Sequence, residues 1–104
     1  MKYLDKVTEL LNVYKSISRD ENKIRKINCG YSGIMLIISD LEEILNKNRK
    51  VKVELDSPGA IRYNGYFCSK SLEEKDKKNI SDLYHVFELY NNYPLEQLNN
   101  LDFD

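Results

Sequence analysis

The sequence predicts an α+β fold: N-terminal helices, a three-stranded antiparallel β-meander, and a long C-terminal helix packed on the sheet. Three observations predict it. Apolar residues recur at helical spacing through the first 45 residues, residues 50–55 alternate strictly between polar and apolar, and residues 72–90 return to helical spacing. A small sheet needs a helical cover to be stable alone, so the helices are expected on one of its faces.

The first element begins near Lys2. Leu4, Val7, Leu11 and Tyr14 recur on one helical stripe, with Leu10 and Ile17 beside it. Ile24 and Ile27 fall off that stripe by roughly a third of a turn, which a continuous straight helix does not allow. A kink or break near Ser18 follows, and Ser18-Arg19-Asp20-Glu21 has the S-x-x-E spacing of a capping box. Gly30 suits the left-handed residue after a helix end, and Ser32 suits the cap of the next helix.

In that next helix Ile34, Ile37, Ile38, Leu41, Ile44 and Leu45 share one face. Met35 and Leu36 lie off it, so the helix is apolar on more than one side and is expected to sit centrally. A competing reading makes residues 34–38 a strand, with Asp40 capping a short helix.

Residues 50–55 read as a half-buried strand. Asp56-Ser57-Pro58-Gly59 reads as a turn, residues 60–63 as a second strand, and Asn64-Gly65 as a type I′ hairpin turn leading to a third strand over residues 66–69. In that register Tyr63 faces Tyr66, and Ile61 lies beside Cys68. Ser71-Leu72-Glu73-Glu74 is a second S-x-x-E box and opens the last long helix, whose stripe is Leu72, Ile80, Leu83, Tyr84, Phe87 and Tyr90. Pro94 ends it. Residues 95–98 add a short turn, and the acidic tail frays unless Phe103 docks.

The 104 residues suit a single domain spanning 1–104. With 41% hydrophobic and 32% charged residues the chain is too apolar for wholesale disorder. No run approaches the roughly 20 apolar residues of a membrane span, and the N-terminus does not read as a signal peptide, so a cytoplasmic protein with no membrane partner is expected. Cys29 and Cys68 read as buried thiols rather than a bridge. With His85 the only histidine, no metal site and no cofactor are expected. Net charge is −1, which gives no global attraction to nucleic acid, although residues 1–52 carry +4 and residues 53–104 carry −5.

Three groups of residues are candidate sites. Lys15, Arg19, Lys23 and Lys26 form a basic stripe if the first helix is continuous, suited to nucleic acid or an acidic partner; a solvated helix face explains the same pattern. The hairpin residues Arg62, Tyr63, Tyr66 and Phe67 combine the side chains that dominate protein interfaces, unless the tyrosines pack inward. Val86 and Leu89 fall off the stripe of the last helix and mark an apolar contact surface beside it. His85 has Asp82 and Glu88 three residues to either side, but no nucleophile or pocket motif accompanies it.

Phosphate-loop, dinucleotide, nucleophile-elbow and zinc-protease motifs are all missing from the sequence, so a non-enzymatic protein is expected. The expected role is to bind and inhibit or regulate a larger protein or ribonucleoprotein complex. The wealth of Lys, Asn, Ile and Tyr is that of AT-rich coding, as in a low-GC bacterium or its phage. The small size, the missing catalytic motifs, the many tyrosines and the off-stripe apolar residues suit a phage or mobile-element inhibitor, an anti-CRISPR protein being one example. The alternative is a nucleic-acid-binding regulator using the basic stripe.

Overall fold

A computed structural model describes residues 1–27, 30–46, 55–57, 60–61 and 73–103. Five α-helices dominate them: α1 (Tyr3–Ile17), α2 (Glu21–Ile27), α3 (Gly30–Asn46), α4 (Glu74–Asn92) and α5 (Leu95–Leu98). The only described strands are β1 (Leu55–Ser57) and β2 (Ala60–Ile61), an antiparallel pair with Leu55 opposite Ile61 and Ser57 opposite Ala60.

This corrects the expected α+β fold. The described core is helix on helix, and no described sheet lies under the helices. The physical reason lies in the faces of the helices. Val7, Leu10, Leu11 and Tyr14 of α1 bury against Ile34, Ile37, Ile38, Leu41 and Ile44 of α3 and Ile80, Leu83 and Phe87 of α4, so each apolar face already has a helical partner. The strand pair lies beside α4 and runs through Asp56 and Ser57, which the sequence reading places in a turn. The rest of the predicted meander, including its third strand, lies outside the described residues.

The break after α1 occurs where the stripe fails, but its cap is a different residue. Ser18 Oγ donates back to the Lys15 carbonyl at 2.6 Å and so belongs to the end of α1. Asp20 caps α2 instead: its Oδ1 accepts from the backbone N–H of Asn22 at 3.0 Å and of Lys23 at 3.3 Å. A short aspartate satisfies two of the N–H groups left open at a helix start. Gly30 opens α3 rather than closing α2, which places Ser32 inside the first turn. The strand reading of residues 34–38 is excluded, since all five are helical. The predicted face of α3 is buried, with Leu45 half-buried at its end. Met35 and Leu36 are exposed, so α3 has an outer side and is not central.

α4 begins after Glu73, not at Ser71. Acidic Glu74 and Asp76 occupy its first turn, where the helix dipole favours negative charge. It ends before Pro94 as expected, with Tyr93 N–H donating to the Leu89 carbonyl at 3.0 Å. Its buried arc is wider than the predicted stripe, because α4 packs on α1 along one side and meets α5 along another. Val86 is therefore fully buried, whereas Tyr84 is half-exposed.

The C-terminal tail docks on the N-terminus. Tyr3 N–H donates to the Leu101 carbonyl at 2.9 Å, and Phe103 N–H donates to the Met1 carbonyl at 2.8 Å. Phe103 is buried, its ring 4.9 Å from that of His85 and 5.4 Å from the Lys6 ammonium. Lys6 bonds Glu9 and Asp82, each at 3.1 Å. Burial opposes its charge, but the hydrogen bonds to Glu9 and Asp82 outweigh burial and hold its ammonium above the usual lysine range. Tyr3 closes the clasp from inside: its hydroxyl donates to the Val86 carbonyl at 2.8 Å, and burial, then Tyr90, push its titration upward.

Phe103→Ala removes a buried ring that ties both termini to α4. Urea denaturation is expected to show a loss of about 3–4 kcal/mol, and Asp20→Ala about 1 kcal/mol from the lost cap.

Candidate partner-binding surface

The periodicity that buries one face of α3 turns Tyr31, Met35 and Leu36 outward. Their exposures are 59%, 40% and 46%, high for large apolar side chains. Together with Ser32 they line a shallow hollow of about 410 Å³. Tyr31 also lines a second hollow, of about 640 Å³, whose other walls are Ser18, Arg19, Glu21, Ile24 and Arg25. The two hollows meet at Tyr31 and form one surface along the α2–α3 side.

This surface exists because of the break at residues 18–20. The chain leaves α1, turns, and restarts as α2 under the Asp20 cap, which places Arg19 and Arg25 beside the first turn of α3. Arg25 donates to the neutral side chain of Asn22 at 3.1 Å, and no described carboxylate pairs with either arginine.

The same break divides the predicted basic stripe. Lys15 faces Glu42 of α3 at 3.5 Å. Lys23 faces Asp76 at 3.4 Å and Glu73 at 3.9 Å, and Lys26 bonds Glu73 at 2.9 Å. Three of the four stripe cations therefore join α1 to α3 and α2 to the start of α4, and of the four only Arg19 lines the hollow beside Tyr31. Lys26 is held above the usual lysine range by its hydrogen bond to Glu73; Glu73 is held below the usual carboxylate range by that bond and by Lys26 and Lys23. Asp76, at 4% exposure, is the buried acid of the group.

Asp76 and Lys23 also line a cleft of about 380 Å³ between the ends of α1 and α4, with Asn12, Ser16, Asp20, Lys75 and Asn79. Lys23 and Asp76, 3.4 Å apart in its wall, compensate each other, so it reads as a solvated seam. Among the described residues no three His, Cys, Asp or Glu side chains gather as a metal site.

The remaining sequence candidates fall elsewhere. Val86 is buried under the Tyr3 hydroxyl, and Leu89 is half-buried against the core, so α4 offers no apolar contact surface at these two positions. His85 approaches Glu88 at 3.4 Å and packs against the Phe103 ring at a tilt of 56°, a structural placement. Arg62, Tyr63, Tyr66 and Phe67 lie outside the described residues. Sequence reasoning noted Met35 and Leu36 as off the stripe yet placed them inside; Tyr31 it passed over.

No family model, curated protein or solved structure matches the chain. The phage-inhibitor and anti-CRISPR designations consequently have no support. No described helix is long and apolar enough to cross a membrane.

The ion-pair seam gives two checks. Lys23→Met strands the buried Asp76 and is expected to cost about 1–3 kcal/mol, whereas Lys15→Met, whose partner Glu42 is exposed, stays within about 0.5 kcal/mol. Because the Glu73 carboxyl titrates below its unfolded value, its contribution is present above the ordinary carboxylate range and fades as pH falls through the lowered value. The stability difference between wild type and Glu73→Gln is therefore constant near neutral pH and shrinks in acid, as denaturation midpoints across pH will register.

Proposed function

We propose that this protein is a non-catalytic binding protein that docks a larger protein partner on its α2–α3 face. The observation that carries the reading is the exposure of Tyr31, Met35 and Leu36 on the outer side of a helix whose inner side is core. Such residues gain nothing for the fold by facing water. A partner that covers them gains roughly 25 cal/mol for each Å² of apolar surface removed from water. Aromatic, Met and Arg side chains are the types enriched at the centres of protein interfaces, and all three occur here together with two hollows able to receive a partner's side chains.

The use of the surface in nucleic-acid binding is less well supported. Lys15, Lys23 and Lys26 are within ion-pair distance of carboxylates, and Glu21 stands beside Arg19 and Arg25. Phosphate binding draws its affinity from uncompensated cations.

A photo-crosslinking amino acid in place of Met35 is expected to capture a discrete protein in the cells that make this chain, in the presence of nuclease. The same probe in place of Glu88 captures none. Capture by the Met35 probe should fail when Tyr31→Ala and Leu36→Asp are introduced together, with thermal stability unchanged because both sites are exposed. Capture that persists in the double variant, or that requires nucleic acid, contradicts the proposal.

A further inference from the structure

We propose that the segment seated on the α2–α3 face is acidic: an amphipathic stretch of a partner protein that presents Asp or Glu to Arg19 and Arg25 and lays apolar side chains on Tyr31, Met35 and Leu36. The inference rests on the reading of this face as the docking surface and adds the chemistry of what docks.

The argument is one of charge complementarity. Lys15, Lys23 and Lys26 each have a carboxylate within 4 Å. Arg19 and Arg25 have none among the described residues, and Arg25 meets only the neutral Asn22. Both arginines line the hollow that Tyr31 shares with the apolar one, against a single carboxylate, Glu21. The rim of the apolar surface is therefore positively charged on its α2 side.

The residue type matters as much as the sign. A guanidinium is planar and weakly hydrated, and it binds a carboxylate through two parallel N–H···O bonds. It gives up water more readily than an ammonium when a partner closes over it. A nucleic-acid strand suits the site less well. Affinity for a phosphate backbone grows with the number of uncompensated cations along it, and this face offers two arginines, while Tyr31, Met35 and Leu36 match the apolar side of an amphipathic segment.

The test uses full-length protein and three fluorescent probes: a short amphipathic helical peptide of Leu and Glu, its counterpart with Lys for Glu, and a single-stranded DNA oligonucleotide. The Leu/Glu peptide is expected to bind, with affinity that falls as salt rises. The Lys peptide and the oligonucleotide are expected to bind at least about tenfold more weakly. Arg19→Glu with Arg25→Glu should reduce Leu/Glu binding by about tenfold or more and flatten its salt dependence, whereas Lys15→Glu should leave it within about twofold. Thermal denaturation of each variant confirms that it folds, and Arg19→Gln with Arg25→Gln serves as a milder pair should the reversal unfold the chain.

Absence of Leu/Glu binding, equal binding of the Lys peptide, tighter binding of the oligonucleotide, or indifference to both arginine pairs would overturn the acidic partner. The docking face is judged separately. If Leu36→Asp abolishes peptide binding while the arginine variants do not change it, the face stands and the acidic chemistry falls. If Leu36→Asp leaves binding unchanged, the face itself falls.

Discussion

The burial of α3 against α1 is the constraint from which the remaining structure follows. Ile34, Ile37, Ile38, Leu41 and Ile44 sit at three- and four-residue intervals and are all buried. A helix that commits this stripe to the core has no freedom left in its rotation, because successive residues are set about 100° apart. Met35 and Leu36 then point outward, and Tyr31, one turn earlier, joins them. The outer apolar surface is a geometric consequence of the inner one. A protein with a sheet under its helices would have offered that second side a layer to pack on; the described core provides none.

Around this core the charges act as local ties. Lys15 links α1 to α3, Lys23 and Lys26 link α2 to the start of α4, and Lys6 links α1 to Asp82 under the Phe103 ring. Most of these pairs are exposed and individually weak. Their effect is on position. They draw α2 toward α4 and leave Arg19 and Arg25 on the opposite side, beside Tyr31. The terminal clasp acts similarly: backbone bonds join residues 1–3 to 101–103, and Tyr3 and Phe103 fasten that pair to Val86 and His85 of α4.

Much of the helical structure was legible because periodicity is a local property. The stripe of α1, its failure before Ile24, the face of α3 and the stop at Pro94 all lie in short windows of sequence. Caps were less legible: Ser18 and Asp20 are both competent, and which one serves depends on where the chain turns. The fold class was misread because alternation over residues 50–55 and an Asn-Gly pair are local signals too, and they say nothing of whether a sheet supports the core. Val86 was misread for a related reason. A single stripe assumes one neighbour, and α4 has several. At Met35 and Leu36 the same off-stripe signal was read the other way, as burial on a second side, and both are exposed, so the pattern identifies an unusual residue without revealing which side of the helix is covered.

Adjacent positions on α3 provide the most direct test of this arrangement. Urea denaturation of Leu36→Asp and Ile37→Asp compares a charge placed on the outer side with the same charge placed in the core. The structure predicts that Leu36→Asp stays within about 0.5 kcal/mol of wild type, while Ile37→Asp loses several kcal/mol or does not fold. Equal damage from the two substitutions would mean that Leu36 is packed inside, and that the surface on which the functional reading depends does not exist.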